Sequence, residues 1–192
     1  MQQVRWHGRG GQGAVTAAKI LGMAAVYEGK YAQSFPAFGT ERRGAPVQAF
    51  TRIADRPIRD RSQVYNPDYI VILDPSLLRV VDVLAGLRSG GTIVLNAPVL
   101  PAGFIIPPGS HLVLFHATPL ALEVLGSPIV NTIMAGALAG ATSLVGLEAL
   151  KRAVIDVLPE KVAEKNLYLV IRAYEQVAGA GRREVHLAVG NN

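Results

Sequence analysis

The chain has 192 residues, of which 50% are hydrophobic and 17% charged, with a formal net charge of +5 and no cysteine. That length suits one domain, and the composition is more apolar than in an ordinary soluble domain, where about a quarter of residues are charged. The absence of thiols excludes a disulfide scaffold, a cysteine nucleophile and an ordinary cysteine-ligated iron–sulfur cluster on this chain.

Residues 4–7 read as a short strand that runs straight into a glycine turn, with no apolar leader before it, so a cytoplasmic protein is expected. A helix follows over residues 12–28, with Ala14, Ala18, Leu21 and Ala25 at helical spacing before Gly29 stops it. Residues 46–53 form the next strand. The unalternating run YIVIL at 69–73 is a strand of the kind found in sheets covered on both faces, ended by Asp74-Pro75. Ser76 then caps an expected helix with Leu77, Val80, Val81, Leu84 and Leu87 on one face.

Residues 92–95 and 111–115 are further strands, and Thr118-Pro119 has the form of a helix start with threonine as N-cap. Between Val124 and Leu147 no residue is charged, but glycines and a proline interrupt the run, which predicts a buried helix rather than a membrane span. Three helices follow at 131–144, 147–158 and 160–177. The expected fold is α/β: a single three-layer α/β/α domain over residues 1–179 with a mainly parallel sheet and a helical C-terminal third. Residues 180–192 form a tail with one short strand at 184–189.

Gly8, Arg9, Gly10, Gly11, Gln12 and Gly13 spell G-x-G-x-x-G between a strand and a helix. Glycines there allow a tight turn and the close approach of an anion to free helix N–H groups; they also serve where strand and helix merely pack closely. A dinucleotide enzyme carries an acid about 20 residues on for the ribose hydroxyls. Residues 31–38 supply none, Glu28 falls at the helix end, and Glu41 lies beyond a proline-broken loop.

A second cluster, residues 35–46, holds Thr40, Glu41, Arg42 and Arg43 between Gly39 and Gly44, with Pro36 and Pro46 stiffening the flanks. The stretch 52–61, with Arg52, Arg56, Arg59 and Arg61 offset by Asp55 and Asp60, reads as solvated charged surface. The basic balance is 14 arginines to five lysines. Arginine's fork suits carboxylates and phosphates, of a cofactor or a neighbouring subunit, more than it suggests nucleic acid. His7, His111, His116 and His186 lack zinc-ligand spacing and read as loop or surface imidazoles, so no metal site is expected. Gly136 and Gly140, one turn apart, mark close helix contact, within the chain or between subunits.

Taken together, G-R-G-G-Q-G at 8–13 and F-G-T-E-R-R-G-A-P-V at 38–47 resemble the gamma subunit of pyruvate:ferredoxin oxidoreductases. Asn131 with Gly136 and the run Glu164-Lys165-Asn166 are similar to that family as well, so the likeness covers residues 4–175. The resemblance implies a multi-subunit enzyme that oxidatively decarboxylates a 2-oxoacid, transfers the acyl group to coenzyme A and passes electrons to ferredoxin. It implies alpha, beta and delta-type partner subunits carrying thiamine diphosphate and iron–sulfur clusters. This chain would then contribute coenzyme A binding through Gly8–Gly13 and Thr40–Arg43, with no catalytic residue, and would form a homodimer when isolated. Alternatives are a subunit acting on 2-oxoglutarate, branched-chain oxoacids or indolepyruvate, a stand-alone NAD(P)-binding oxidoreductase, and a pure scaffold.

Overall fold

The computed structural model describes residues 1–37 and 43–180; residues 38–42 and 181–192, including the strand expected at 184–189, lie outside the described residues. Six strands form one sheet in the order β2 (Tyr31–Pro36), β3 (Pro46–Ala54), β1 (Gln2–Arg9), β4 (Tyr69–Ile72), β5 (Thr92–Leu95), β6 (His111–Leu114). The β1–β4, β4–β5 and β5–β6 pairs are parallel. Strand β3 pairs antiparallel with both β1 and β2, so it alone runs against the other five. The α/β domain with a mainly parallel sheet is as the apolar runs predicted.

One face of the sheet carries all five α-helices: α1 (Ala14–Tyr27), α2 (Ala117–Leu125), α3 (Asn131–Thr142), α4 (Leu147–Val157) and α5 (Glu160–Gly179). Val4 and Trp6 of β1, Val71 and Val94 pack against Ala17, Leu21, Ile133, Leu138 and Leu169 there. Small residues let these helices approach closely. A Cβ on Gly136 would lie 2.6 Å from the Val170 carbonyl oxygen, and one on Gly140 2.5 Å from that of Tyr174, both on α5. The glycine pair thus serves contact within the chain. Helix α3 is buried from Asn131 through Ala139, which explains the uncharged sequence around it.

The other layer is built differently. The helix expected after Ser76 is a single 3-10 turn at Pro75–Arg79, capped by the Asp74 carboxylate, and the chain then runs on in turns. Its apolar residues still cover the sheet: Leu77 and Val83 pack on Ile70, Ile72, Ile93 and Leu95. The apolar spacing reported burial correctly, but the chain satisfies it without helical hydrogen bonding. Similarly, α2 begins at Ala117, before the expected Thr118 cap: the Ala117 amide is met by Asn96 Oδ1 at 3.0 Å, and the Thr118 hydroxyl accepts from the Nδ2 of the same side chain.

Beside that apolar patch, the same face of β1 and β3 buries polar side chains: Gln3, Arg5, His7 and Arg52. Arg52, expected in solvent, is 0% exposed. It bonds the carbonyls of Ser62 at 2.8 Å and Gln63 at 3.2 Å, pairs with Asp60 at 3.3 Å and lies 5.2 Å over the Phe35 ring. His7, expected on the surface, is buried as well; its Nε2 accepts from Arg5 Nε at 3.0 Å. Arg5 in turn donates to the carbonyls of Val83 and Ala85. Burial, with the Arg5 charge assisting, lowers the His7 pKa to about 3, so the ring is neutral.

Candidate functional site

In an open parallel sheet, ligands bind beyond the C-terminal strand ends, where the winding changes direction. Here the chain leaves β1 toward β2 on one side and returns to β4 on the other, which puts that point between β1 and β4. The glycine turn 8–13 stands there. Gly11 at φ 94° and Gly13 at φ 79° occupy the left-handed region that side chains disfavour. Gly13 is the N-cap residue of α1, which has neither a side-chain cap nor an acidic residue in its first turn. The first turn of α1 therefore offers free amides with no acidic residue of its own beside them, an arrangement suited to an anion.

The two loops singled out by sequence meet. Gly10 and Arg43 form a parallel bridge; Gly10 N donates to Ala45 O at 2.9 Å, and Gly44 N donates to Gly10 O at 3.1 Å. Arg43 is exposed beside the glycine turn. Thr40, Glu41 and Arg42 lie outside the described residues.

Arg9 and Gln12 do not reach outward. Arg9 Nε and Gln12 Nε2 each donate to Asp74 Oδ2 at 3.0 Å, and Gln12 Oε1 accepts from Arg9 N at 2.7 Å. Arg9 also donates to Ser76 Oγ at 2.8 Å and to Gly44 O at 3.0 Å. The other Asp74 oxygen accepts from Ser76 N and Oγ. Burial alone would raise the Asp74 pKa, but Ser76, Gln12 and Arg9 outweigh it and hold the carboxyl below its ordinary value. Asp74 is thus a charged knot joining the glycine turn, the loop after β4 and the loop before β3. In the sequence Asp74-Pro75 reads as a strand terminator, and Asp-Pro-Ser also carries the signature of a cap.

A second helix start adjoins the first. Asn131 opens α3, and its Nδ2 would lie 2.3 Å from a Cβ on Gly13, so the bare glycine is what lets the two helix N-termini meet. Only 7% of Asn131 is exposed, and its Oδ1 accepts from Thr132 N.

The dinucleotide alternative fails on topology. Its ribose-binding acid belongs at the end of a strand adjoining β1, but β3 is inserted between β1 and β2, a displacement of about 5 Å per strand. Glu28, the nearest acid by spacing, is committed to Lys30 at 2.9 Å and to the Gly146 amide at the start of α4. Among the described residues no group of three His, Asp or Glu side chains is placed to hold a metal, and no helix is long and apolar enough to cross a membrane.

Residues 3–176 match the family model described as pyruvate ferredoxin/flavodoxin oxidoreductase. The chain is 52% identical to a pyruvate synthase subunit PorC of Methanothermobacter marburgensis, over 94% of this chain and 100% of that one. It is 51% identical to the common gamma subunit of the pyruvate/ketoisovalerate oxidoreductases of Pyrococcus furiosus, over 92% and 97%. Among solved structures it resembles pyruvate oxidoreductase subunit PORC of Thermotoga maritima, with a TM-score of 0.76 and 36% identity over 91% of this chain and 95% of that one.

Proposed function

The chain belongs to the pyruvate ferredoxin/flavodoxin oxidoreductase family as a gamma subunit of the multi-subunit enzyme, and from that premise we propose that it holds the phosphates of coenzyme A on its joined loops. The observation carrying this is the backbone pairing of the glycine turn with the arginine loop, which brings Arg43 to the turn that leads into the open N-terminus of α1. Neither element alone would suffice, because a helix terminus gives direction and an arginine gives charge. The residues fit such a polyanion: Asp74, the carboxylate bonded to the turn among the described residues, is already neutralised by Arg9.

Bound there, coenzyme A supplies the thiol that accepts the acyl group. The chain's own part is electrostatic and geometric. Gly11, with open space where a side chain would begin, lets the backbone approach the phosphates. Gly8 and Gly13 let the turn close on Leu73 and Asn131, Gly10 pairs with the arginine loop, and Arg9 and Gln12 hold the turn in shape through Asp74. Arg43, with Thr40, Glu41 and Arg42 on the same loop, faces the ligand or its neighbours. Decarboxylation and electron transfer belong to alpha, beta and delta-type partners carrying thiamine diphosphate and iron–sulfur clusters, in the cytoplasm. Pyruvate is the first-choice oxoacid; the ketoisovalerate named for the Pyrococcus relative makes a branched-chain acid the second.

The test is steady-state kinetics of the reconstituted complex with coenzyme A varied at saturating oxoacid. Charge-assisted hydrogen bonds contribute about 1.5–3 kcal/mol, so Arg43→Gln should raise KM for coenzyme A roughly tenfold to a hundredfold at unchanged complex yield. Arg43→Lys should fall between that variant and the parent, since it keeps charge but loses the fork. Unchanged KM in both variants would reduce the joined loops to packing.

A further inference from the structure

At the β2 edge of the sheet lies a surface that the coenzyme A reading does not use. No described strand pairs with the outer side of β2, and its sequence YAQSFP carries no charge to blunt that edge, only Pro36 at its end. Such an edge offers unpaired N–H and C=O groups along its length, and proteins normally cover it. Tyr31, at its start, is 48% exposed and sits in register with Ala54, where the loop 55–63 begins.

That loop is held fast from below. Arg52, with no exposed surface, reaches up to the carbonyls of Ser62 and Gln63 and to Asp60, while Gln33 Nε2 of β2 donates to Ile58 O at 3.1 Å. Burying a guanidinium is costly unless it is bonded in this way. What the anchored loop presents is three exposed arginines, Arg56, Arg59 and Arg61, none of which forms an ion pair with a described residue. Asp60 is taken by Ser62 and Arg52, which leaves Asp55 as the only other acid in the loop.

We propose that the β2 edge and the loop 55–63 form one docking face for a carboxylate-rich surface of a neighbouring subunit of the oxidoreductase. The match is one of charge and residue type. Three exposed arginines on one anchored loop suit carboxylates, and exposed tyrosine with arginine is the composition of interface anchors. Fixing the loop beforehand removes part of the ordering cost of association. This inference rests on the chain working within a multi-subunit enzyme, and it is independent of where coenzyme A binds.

The experiment mixes the full chain carrying R56E/R59E/R61E with its partner subunits and measures association by sedimentation velocity at low and high salt. Arg172→Glu, an exposed position on α5, is the control. Association of the triple variant should weaken at least about tenfold at low salt, with the gap to the parent closing as salt rises, while the control assembles normally. In the unaltered chain, amide exchange across residues 31–36 and 55–61 should slow on assembly, a readout that does not depend on the variant folding. Complexes driven together at high subunit concentration should keep the parent KM for coenzyme A, which separates this face from the joined loops. Unchanged association with unchanged amide protection overturns the proposal. So does a triple variant that assembles normally but loses binding of a single-stranded oligonucleotide, which would assign the face to nucleic acid.

Discussion

The two faces of the sheet are covered by different means, and the backbone explains the contrast. Helices satisfy their own N–H and C=O groups, so α1, α3 and α5 present apolar side chains, from alanine to leucine and isoleucine, to Val4, Trp6 and Val94. The loops on the opposite face leave carbonyls free. Those of Val83, Ala85, Ser62 and Gln63 are met by buried arginines, Arg5 and Arg52, rising from β1 and β3. Loop cover therefore demands buried donors, whereas helix cover demands close shape.

Arg52→Met tests the donor side most severely. It strands the Ser62 and Gln63 carbonyls and the partly exposed Asp60, and it should cost about 3–5 kcal/mol in a urea titration of the isolated chain, the range for breaking a buried charged contact. A loss below about 1 kcal/mol would mean that the loop finds water instead. Gly136→Ala tests the shape side. Its Cβ would press on a backbone oxygen at 2.6 Å, forcing α3 and α5 apart at a cost of about 1–3 kcal/mol. Unchanged stability would show the helical layer to be as adaptable as the loop layer.

His7 gives the contrast a pH dependence. Its folded pKa of about 3 lies below an unfolded value of about 6.5, so the unfolded chain binds the extra proton in that window. Stability from His7 is complete above pH 6.5 and is lost as pH falls toward 3, at roughly 1.4 kcal/mol per unit. By pH 5 the loss is about 2 kcal/mol, and His7→Gln should flatten that part of the profile. An identical slope in the variant would place the acid sensitivity elsewhere.

The strands at 92–95 and 111–115, the helices after Asn131 and the glycine turn were legible because each is written in local spacing. Apolar runs mark covered strands, and a three-to-four-residue repeat marks a buried helical face. The same repeat misled at Leu77–Leu87, where it records contact with the sheet and not helical hydrogen bonding. His7 and Arg52 were read as surface groups because nothing in their neighbourhood announces a buried polar layer. The partners of Arg52 come from another strand and a loop, and Arg5, the partner of His7 two residues away, is itself buried against the carbonyls of a distant loop. For the site, the residue types of both loops were visible, but the commitment of Arg9 and Gln12 to Asp74 was not, since that carboxylate lies 65 and 62 residues away.

Local pattern and composition thus settled that the chain alternates strands with helices, lacks thiolate ligands and carries a glycine turn ahead of a helix. These follow from dihedral preferences and side-chain periodicity, which act over a few residues. Tertiary structure decided that β3 enters antiparallel between β1 and β2, that the glycine turn and the arginine loop share a bridge, and that the exposed charge of residues 55–63 stands on a buried arginine. Strand order and carbonyl satisfaction are decided by contacts between segments far apart in the chain, where the whole sheet must be covered and every buried polar group must find a partner.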